Sequence, residues 1–307
     1  MNIQTISIVV PTKGCINKCK FCVSRMHEND YEDKFDEFQI KKRIKWALMN
    51  NINTCVITGI GEPLQNIKFL RKLAQIFIQM DYPFPNVEFQ TSGTMLMETS
   101  KDLITGYEGK LQLYYKYIYV LKELGVNTIS LSVSDLFNDK NNMEIIGVAK
   151  NLQFSLSEIC NFIKEQGFNL RLSLNLLDSY NDKTPEKIIG KCQLLEAEQV
   201  TFRKMYCAKH GYYPQAKWVK EHACNENTIK ELKQYIQGTP MKMYEDANGK
   251  LLYQLPFGAF VYSIKNMSVV LDDNCMGKED SISLKFVILR ENGKLYSQWD
   301  DSGSLLF

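Results

Sequence analysis

Several things are missing from this sequence, and each absence narrows what the protein can be. No apolar run approaches the roughly 20 residues that a membrane-spanning helix needs. The N-terminal segment shows none of the charged, apolar and small-residue zones of an export leader, so the expectation is a cytoplasmic chain with no membrane partner. Charge of neither sign dominates. The formal net charge of the 307 residues is +2, so no global field draws in nucleic acid and any basic surface must be local. Internal repeats and low-complexity tracts are absent. What remains is an ordinary globular composition, 45% hydrophobic and 23% charged, long enough for one large α/β domain or two small ones and able to bury a sizeable core.

Nine cysteines are present, an odd number, and six of them (Cys55, Cys160, Cys192, Cys207, Cys224 and Cys275) are scattered singly. Without an export signal a disulfide framework is not expected, and these six read as small buried hydrophobes or inert thiols. The other three are different. Cys15, Cys19 and Cys22 fall within "GCINKCKFCVSR", directly after the strand-like run "ISIVV". Three thiols held close in a reducing compartment point to a metal or a cluster.

Strand-like and helix-like runs alternate along most of the chain. "TISIVV" (Thr5–Val10), "NTCVITG" (Asn53–Gly59), "NVEFQTSG" (Asn86–Gly93), "NTISLSVSD" (Asn127–Asp135), "NLRLSLNLL" (Asn169–Leu177) and "QVTFRKMY" (Gln199–Tyr206) read as strands. Helices are expected near Asp36–Met49, Ile67–Met80, Leu111–Leu124, Ser157–Gln166, after Thr184-Pro185, and near Glu226–Ile236. "SLSE" before the fourth is a capping-box pattern; Thr184 can cap the fifth, with Pro185 at its first position. Asn138–Asn142, "NDKNN", reads as a polar loop. Several strands look apolar on nearly every residue, as in parallel sheets covered on both faces. Six β-α units predict an α/β fold, either a doubly wound sheet or a partial (βα)6 TIM-like open barrel, with the chemistry at the carboxyl ends of the strands. The cysteine loop lies at one such end.

After residue 238 helical periodicity stops. "KLLYQLPFGAFVYSI", "MSVVLDD" and "SLKFVILRENGKLYSQWD" read as strands, the last containing a hairpin turn at Asn292-Gly293. Residues 1–238 are therefore expected to form the barrel, and residues 239–307 a small C-terminal β extension packed on it.

The cysteine spacing is C-x3-C-x2-C. A tetrahedral zinc site needs four ligands, and His27 can serve as the fourth. Alternatively three thiolates can hold an iron–sulfur cluster with one iron left open to a ligand. The C-x3-C-x2-C spacing, with Phe21 before the third cysteine and the loop after the first strand of a βα barrel, resembles the radical S-adenosylmethionine (radical SAM) superfamily. The resemblance extends to "TGIGEP" (Thr58–Pro63), a GxGEP form of that family's GGE-type motif, which is similar to the version in the RNA adenosine methylases. It covers roughly Ile6–Ile236.

The resemblance implies a 4Fe–4S cluster on Cys15, Cys19 and Cys22, and S-adenosylmethionine chelating the open iron through its amino and carboxylate groups. One-electron reduction by a donor such as flavodoxin or ferredoxin would cleave the sulfonium, and the resulting 5′-deoxyadenosyl radical would abstract hydrogen from a substrate. Gly59, Gly61, Glu62 and Pro63 would meet the methionine amino group, with the glycines allowing close approach. Thr91 and Ser92 would lie near the cofactor, Ser132 and Ser134 near its ribose or carboxylate, Asn175 near the ribose, and Arg203 near the site.

For the substrate, Arg203–His222 sets Arg203, Lys204, Lys209, Lys217 and Lys220 against a single acid, Glu221, with Tyr206, Tyr212, Tyr213 and Trp218 interleaved. Such a stretch suits a nucleotide or single-stranded RNA, with Lys204, Lys209, Tyr212 and Tyr213 as contacts; as a bland alternative it is a solvated loop whose aromatics pack on the barrel. A peptide or small-metabolite substrate stays open, as does a non-enzymatic zinc or nucleic-acid-binding module. The ending "LRENGKLYSQWD" is similar to that of the molybdopterin cyclases and peptide-modifying relatives, but Ser297 or Gln298 stands where they place a cluster cysteine, which argues against a second cluster. A methyl-carrying role for Cys275, as in the RNA methylases, would need a partner cysteine that the sequence does not identify.

Overall fold

The computed structural model describes residues 3–26, 35–97, 117–208, 212–239, 247–255, 258–272, 284–290, 292–299 and 302–307. Strands β1 (Ile3–Val10), β2 (Thr54–Gly59), β3 (Asn86–Thr91), β4 (Thr128–Val133), β5 (Asn169–Leu176) and β6 (Gln199–Lys204) lie side by side in chain order, each parallel to the next. A doubly wound sheet reverses its strand order at a switch point. This one does not, and it follows the open-barrel reading.

The helices start where short polar side chains replace the missing backbone acceptors. Asp36 caps Glu37–Met49, Asn66 caps Ile67–Gln79, and Asn225 caps Glu226–Gln237. Ser155 and Glu158 close the expected capping box of Leu156–Glu165. Pro185 opens Pro185–Leu194 as expected, but the Thr184 side chain makes no capping bond. Residues 117–123 are helical, and the earlier part of that expected helix lies outside the described residues.

Two expectations need correction. "NDKNN" is not a loop. Asn138 caps a helix, Asp139–Ile146, which closes on Gly147 in the left-handed conformation (φ +71°). Polar residues dominate its first turn, but Met143, Ile145 and Ile146 are buried, and that apolar face decides the fold. Nor is the sheet apolar on both sides. Ile129, Leu131 and Val133 of β4 and Leu170, Leu172 and Leu174 of β5 join the helix-covered core. The alternate residues, Thr128, Ser130 and Ser132, then Arg171, Ser173 and Asn175, then Gln199, Thr201 and Arg203, line the other face, the inside of the barrel.

The inner face holds a charged network. Glu88 of β3 forms an ion pair with Arg171 two strands away and accepts from Gln90 Nε2 at 3.1 Å; Arg171 Nε in turn donates to Gln199 Oε1 at 2.6 Å. Burial pushes the Glu88 carboxyl up, but Arg171, Gln90 and Arg203 outweigh it and hold the group below its ordinary range.

Five further strands come from the C-terminal segment: β7 (Lys250–Gln254), β8 (Phe260–Ile264), β9 (Met267–Asp272), β10 (Leu284–Leu289) and β11 (Leu295–Tyr296). They extend the main sheet at both edges, in the order β11-β10-β1-β2-β3-β4-β5-β6-β9-β8-β7. The Asn292-Gly293 turn joins β10 to β11 as an antiparallel pair, with Gly293 at φ +73°. β9 is parallel to β6 and β10 is parallel to β1, so β10, β1 through β6 and β9 form one continuous parallel run. Its two ends meet: Lys285 Nζ of β10 lies 2.6 Å from Asp272 Oδ2 of β9, with side chains only 17% and 10% exposed. The sheet therefore curls round on itself, but β8 and β11 pair with β9 and β10, and the barrel stays open.

Asp272→Ala removes the nearly buried ion pair between the two ends, and should lower the unfolding free energy by about 3 kcal/mol in urea titration. Pairing Asp272→Leu with Lys285→Met should recover most of the loss. Equal stability of Asp272→Ala and the parent would show that the ion pair does not hold the ends together. Arg171→Met should likewise cost about 3 kcal/mol at neutral pH by stranding Glu88. Because the folded pKa of Glu88 lies below its unfolded value, this stabilisation is present above the unfolded value and lost as pH falls through the folded one. The gap between parent and Arg171→Met should therefore narrow below about pH 4. A gap that stays constant into acid would assign the loss to something other than the ion pair.

Candidate active site

The carboxyl end of β1 runs into the cysteine loop, and neighbouring elements seize that loop by its backbone. Ile16 N donates to Gln65 Oε1 at 2.8 Å, just beyond the GxGEP motif. Lys18 N and Lys20 N donate to the carbonyls of Gly147 and Ile145, at 3.2 and 3.0 Å, where the helix Asp139–Ile146 ends. Two glycines make these approaches possible. A Cβ on Gly61 would lie 2.5 Å from both Gly14 O and Thr12 Oγ1, and one on Gly147 would lie 2.5 Å from Lys18 O. Gly59 is constrained in the same way, its Cβ position 2.9 Å from Gly61 O and 3.3 Å from buried Pro63, which opens the next turn. The grip by Gly147 was missed in the sequence, although Asn138 and Gly147 carry the signature of a helix start and stop.

Cys15, Cys19 and Cys22 are each partly exposed. Burial pushes the Cys15 thiol up, and the nearby backbone N–H groups of Asn17 and Glu62 offset this only in part. Burial, helped by the neighbouring Cys22 and Cys15, pushes Cys19 up to about 12. Such thiols ionise only when a cationic centre compensates them. Among the described residues, no group of three His, Cys, Asp or Glu side chains is drawn tightly enough to hold a single ion. His27, the expected fourth zinc ligand, lies outside the described residues, as does Cys275. Of the remaining cysteines, Cys55, Cys160, Cys192 and Cys224 are buried and Cys207 is half-buried. Burial raises Cys160 and Cys192 to about 12 and Cys224 to about 11, the behaviour of inert core thiols.

Glu62 is 3% exposed and faces β3. Thr91 Oγ1 donates to its Oε1 at 2.8 Å, and Ser92 Oγ and Ser92 N donate to Oε2 at 2.7 and 3.1 Å. Burial raises the carboxyl's pKa, which these bonds only partly offset. No ion pair reaches Glu62 among the described residues. A buried carboxylate with three donors and no counter-ion is prepared for a cationic group. The sequence had named Thr91 and Ser92 without showing that they hold Glu62.

Further round the rim, Asn175 Nδ2 of β5 donates to Ser132 Oγ at 3.3 Å and to Ser134 Oγ at 3.2 Å, bringing three expected cofactor residues together. Buried Asn142, on the unforeseen helix, fixes this corner by accepting from Ser134 N and Asp135 N at 2.8 and 3.1 Å. Arg203 sits beside Asn175 in the β5–β6 register, and its buried Nε has no hydrogen-bond partner.

The basic, aromatic segment after β6 is largely a helix, Pro214–His222. Trp218 stacks on His222 at 4.4 Å and lies 6.4 Å from Phe21 of the cysteine loop. Tyr206, Tyr213 and Trp218 pack with Phe21 around Met26 and Val219, so most of the interleaved aromatics cover the loop and do not form a stacking platform. Lys204 is bound to Glu226 at 2.7 Å, apart from the inner face, and Tyr212 is fully exposed; Lys209 lies outside the described residues.

This arrangement fits an iron–sulfur cluster with S-adenosylmethionine: three thiols on one loop, a glycine cradle, and a buried carboxylate with no ion-pair partner among the described residues. No described helix is long and apolar enough to cross a membrane. No curated protein sequence matches the chain. Among solved structures, anSMEcpe with bound AdoMet is similar at TM-score 0.59 and 12% identity, over 99% of this chain and 77% of that one. SuiB from Streptococcus suis, bound to the precursor peptide SuiA, is similar at TM-score 0.52 and 12% identity, over 97% of this chain; the match spans only 60% of SuiB. At such identities the likeness is one of fold. Residues 9–192, more than half the chain, match the family described as the Radical SAM superfamily. The chain belongs to that superfamily of enzymes, which carry a 4Fe–4S cluster and S-adenosylmethionine.

Proposed function

We propose that Cys15, Cys19 and Cys22 hold the cluster, that S-adenosylmethionine lies across the carboxyl ends of β2 to β6, and that the substrate is a nucleotide, a nucleoside or RNA admitted to the inner face of the barrel. Cluster and cofactor together supply one-electron cleavage of the sulfonium and hydrogen-atom abstraction, with the electron from a small carrier such as flavodoxin or ferredoxin.

The chain's own residues orient these groups. Glu62, steadied by Thr91 and Ser92, meets the cofactor's ammonium, and Gly59, Gly61 and Pro63 shape the turn that lets it approach. Ser132, Ser134 and Asn175 offer hydroxyl and amide groups to the ribose or carboxylate. Phe21, under Trp218, helps to keep water from the loop.

The observation that carries the substrate reading is Arg203, a guanidinium on the polar inner face with a buried, unpartnered Nε. Such a fork suits a phosphate. Exposed Tyr212, Lys217 and Lys220 lie on the segment that follows β6. A peptide substrate is the second reading, favoured by β7: it is an edge strand whose five residues are all exposed, Leu251, Leu252 and Tyr253 among them, the form in which a sheet edge accepts an added strand.

Anaerobic protein with dithionite and S-adenosylmethionine should release more 5′-deoxyadenosine when single-stranded RNA or mononucleotides are added than when peptides are. RNA binding should weaken steeply with salt. Arg203→Ala should lower substrate affinity about tenfold, the scale of one charge-assisted hydrogen bond. Stimulation by peptides alone, with no salt-dependent RNA binding, would overturn the nucleotide reading in favour of the peptide one.

A further inference from the structure

Asn17 stands between Cys15 and Cys19, yet its side chain leaves the loop. It is 3% exposed, and its amide reaches the end of β3. Asn17 Nδ2 donates to Ser92 Oγ at 2.7 Å and to Thr94 Oγ1 at 3.1 Å. Thr94 Oγ1 donates back to Asn17 Oδ1 at 3.2 Å. Ser92 has one hydroxyl proton and two acceptors in reach, Glu62 Oε2 at 2.7 Å and Thr94 Oγ1 at 3.3 Å, and the nearer, charged acceptor takes it. The direction of every link is therefore set: Asn17 amide to Ser92 hydroxyl to Glu62 carboxylate. The same residue's backbone is part of the loop, two positions after Cys15 and two before Cys19. Asn17 thus touches the cysteine loop with its backbone and the carboxylate relay with its side chain.

We propose that Asn17 is a positioning residue that couples the occupancy of the Glu62 carboxylate to the seating of Cys15. When a cation engages Glu62, the charge that Ser92 hydrogen-bonds is partly neutralised, and the pull on the Asn17 amide changes with it. The loop backbone between Cys15 and Cys19 shifts with that amide, and the surroundings of the ligating sulfurs tune the potential of such clusters. No local pattern reveals this link, because Asn17 and Ser92 are 75 positions apart. The inference rests on the reading above, in which Glu62 receives the cofactor's ammonium.

The test uses the full chain, reconstituted anaerobically, with four variants: Asn17→Ala, Ser92→Ala, the double variant and Glu62→Gln. Iron and sulfide are counted, S-adenosylmethionine affinity is measured by calorimetry, and the electron paramagnetic resonance spectrum of the reduced protein is recorded with and without the cofactor. The expected result is a near-parental iron count for Asn17→Ala and Ser92→Ala, an affinity about tenfold weaker in each, a double variant no worse than either single one, and a diminished cofactor-induced spectral change. Independent, additive losses, parental affinity in Asn17→Ala, or an iron count that falls in step with affinity would overturn the relay and leave Asn17 a loop anchor. Unchanged affinity in Glu62→Gln would overturn the underlying reading of Glu62 as well.

Discussion

Everything at this site depends on how closely backbone can approach backbone around the cysteine loop. The loop has little regular structure of its own: a single short turn, Val23–Arg25, follows the third cysteine. Its shape is imposed from two sides, by the turn at Gly61 and by the helix end at Gly147. Any side chain at either place would push into main-chain atoms, which do not yield as a flexible side chain would. Three thiols are thereby presented from one loop beside Glu62.

The barrel makes the seat possible and supplies what lies beneath it. Parallel strands place all their carboxyl ends on one rim, so residues from β1 to β6 converge although they are scattered along the chain. One face of each strand serves the helix-covered core. The other carries Glu88, Arg171 and Arg203, an interior too polar to be filler. The C-terminal strands complete the curl, with Asp272 and Lys285 joining the two ends of the parallel run.

Much of this was legible in the sequence because it is written in local patterns. The six strands follow from runs of β-branched and apolar residues, and the cysteine loop and the GxGEP turn follow from spacing. The helix Asp139–Ile146 was not read because its opening residues are polar; buried Asn142 earns its place by holding Ser134 and Asp135, which composition does not reveal. The helix Pro214–His222 was hidden by its charge, although Trp218 and His222 stand four apart and stack as helix neighbours do. The alternation of β4 and β5 was blurred by serines, which suit either face. The union of β9 with β6 and of β10 with β1, like the Asn17–Ser92 bond, joins segments far apart in sequence, and no local rule reaches that distance.

The central claim is that close backbone packing at Gly61 seats three thiols to hold a cluster. The most direct measurement is iron and acid-labile sulfide per chain after anaerobic reconstitution, in the parent and in Gly61→Ala. About four irons and four sulfides in the parent, as a cubane requires, with a severe loss in Gly61→Ala, is the predicted result. Zinc without sulfide in the parent, or an undiminished cluster in Gly61→Ala, would contradict the account.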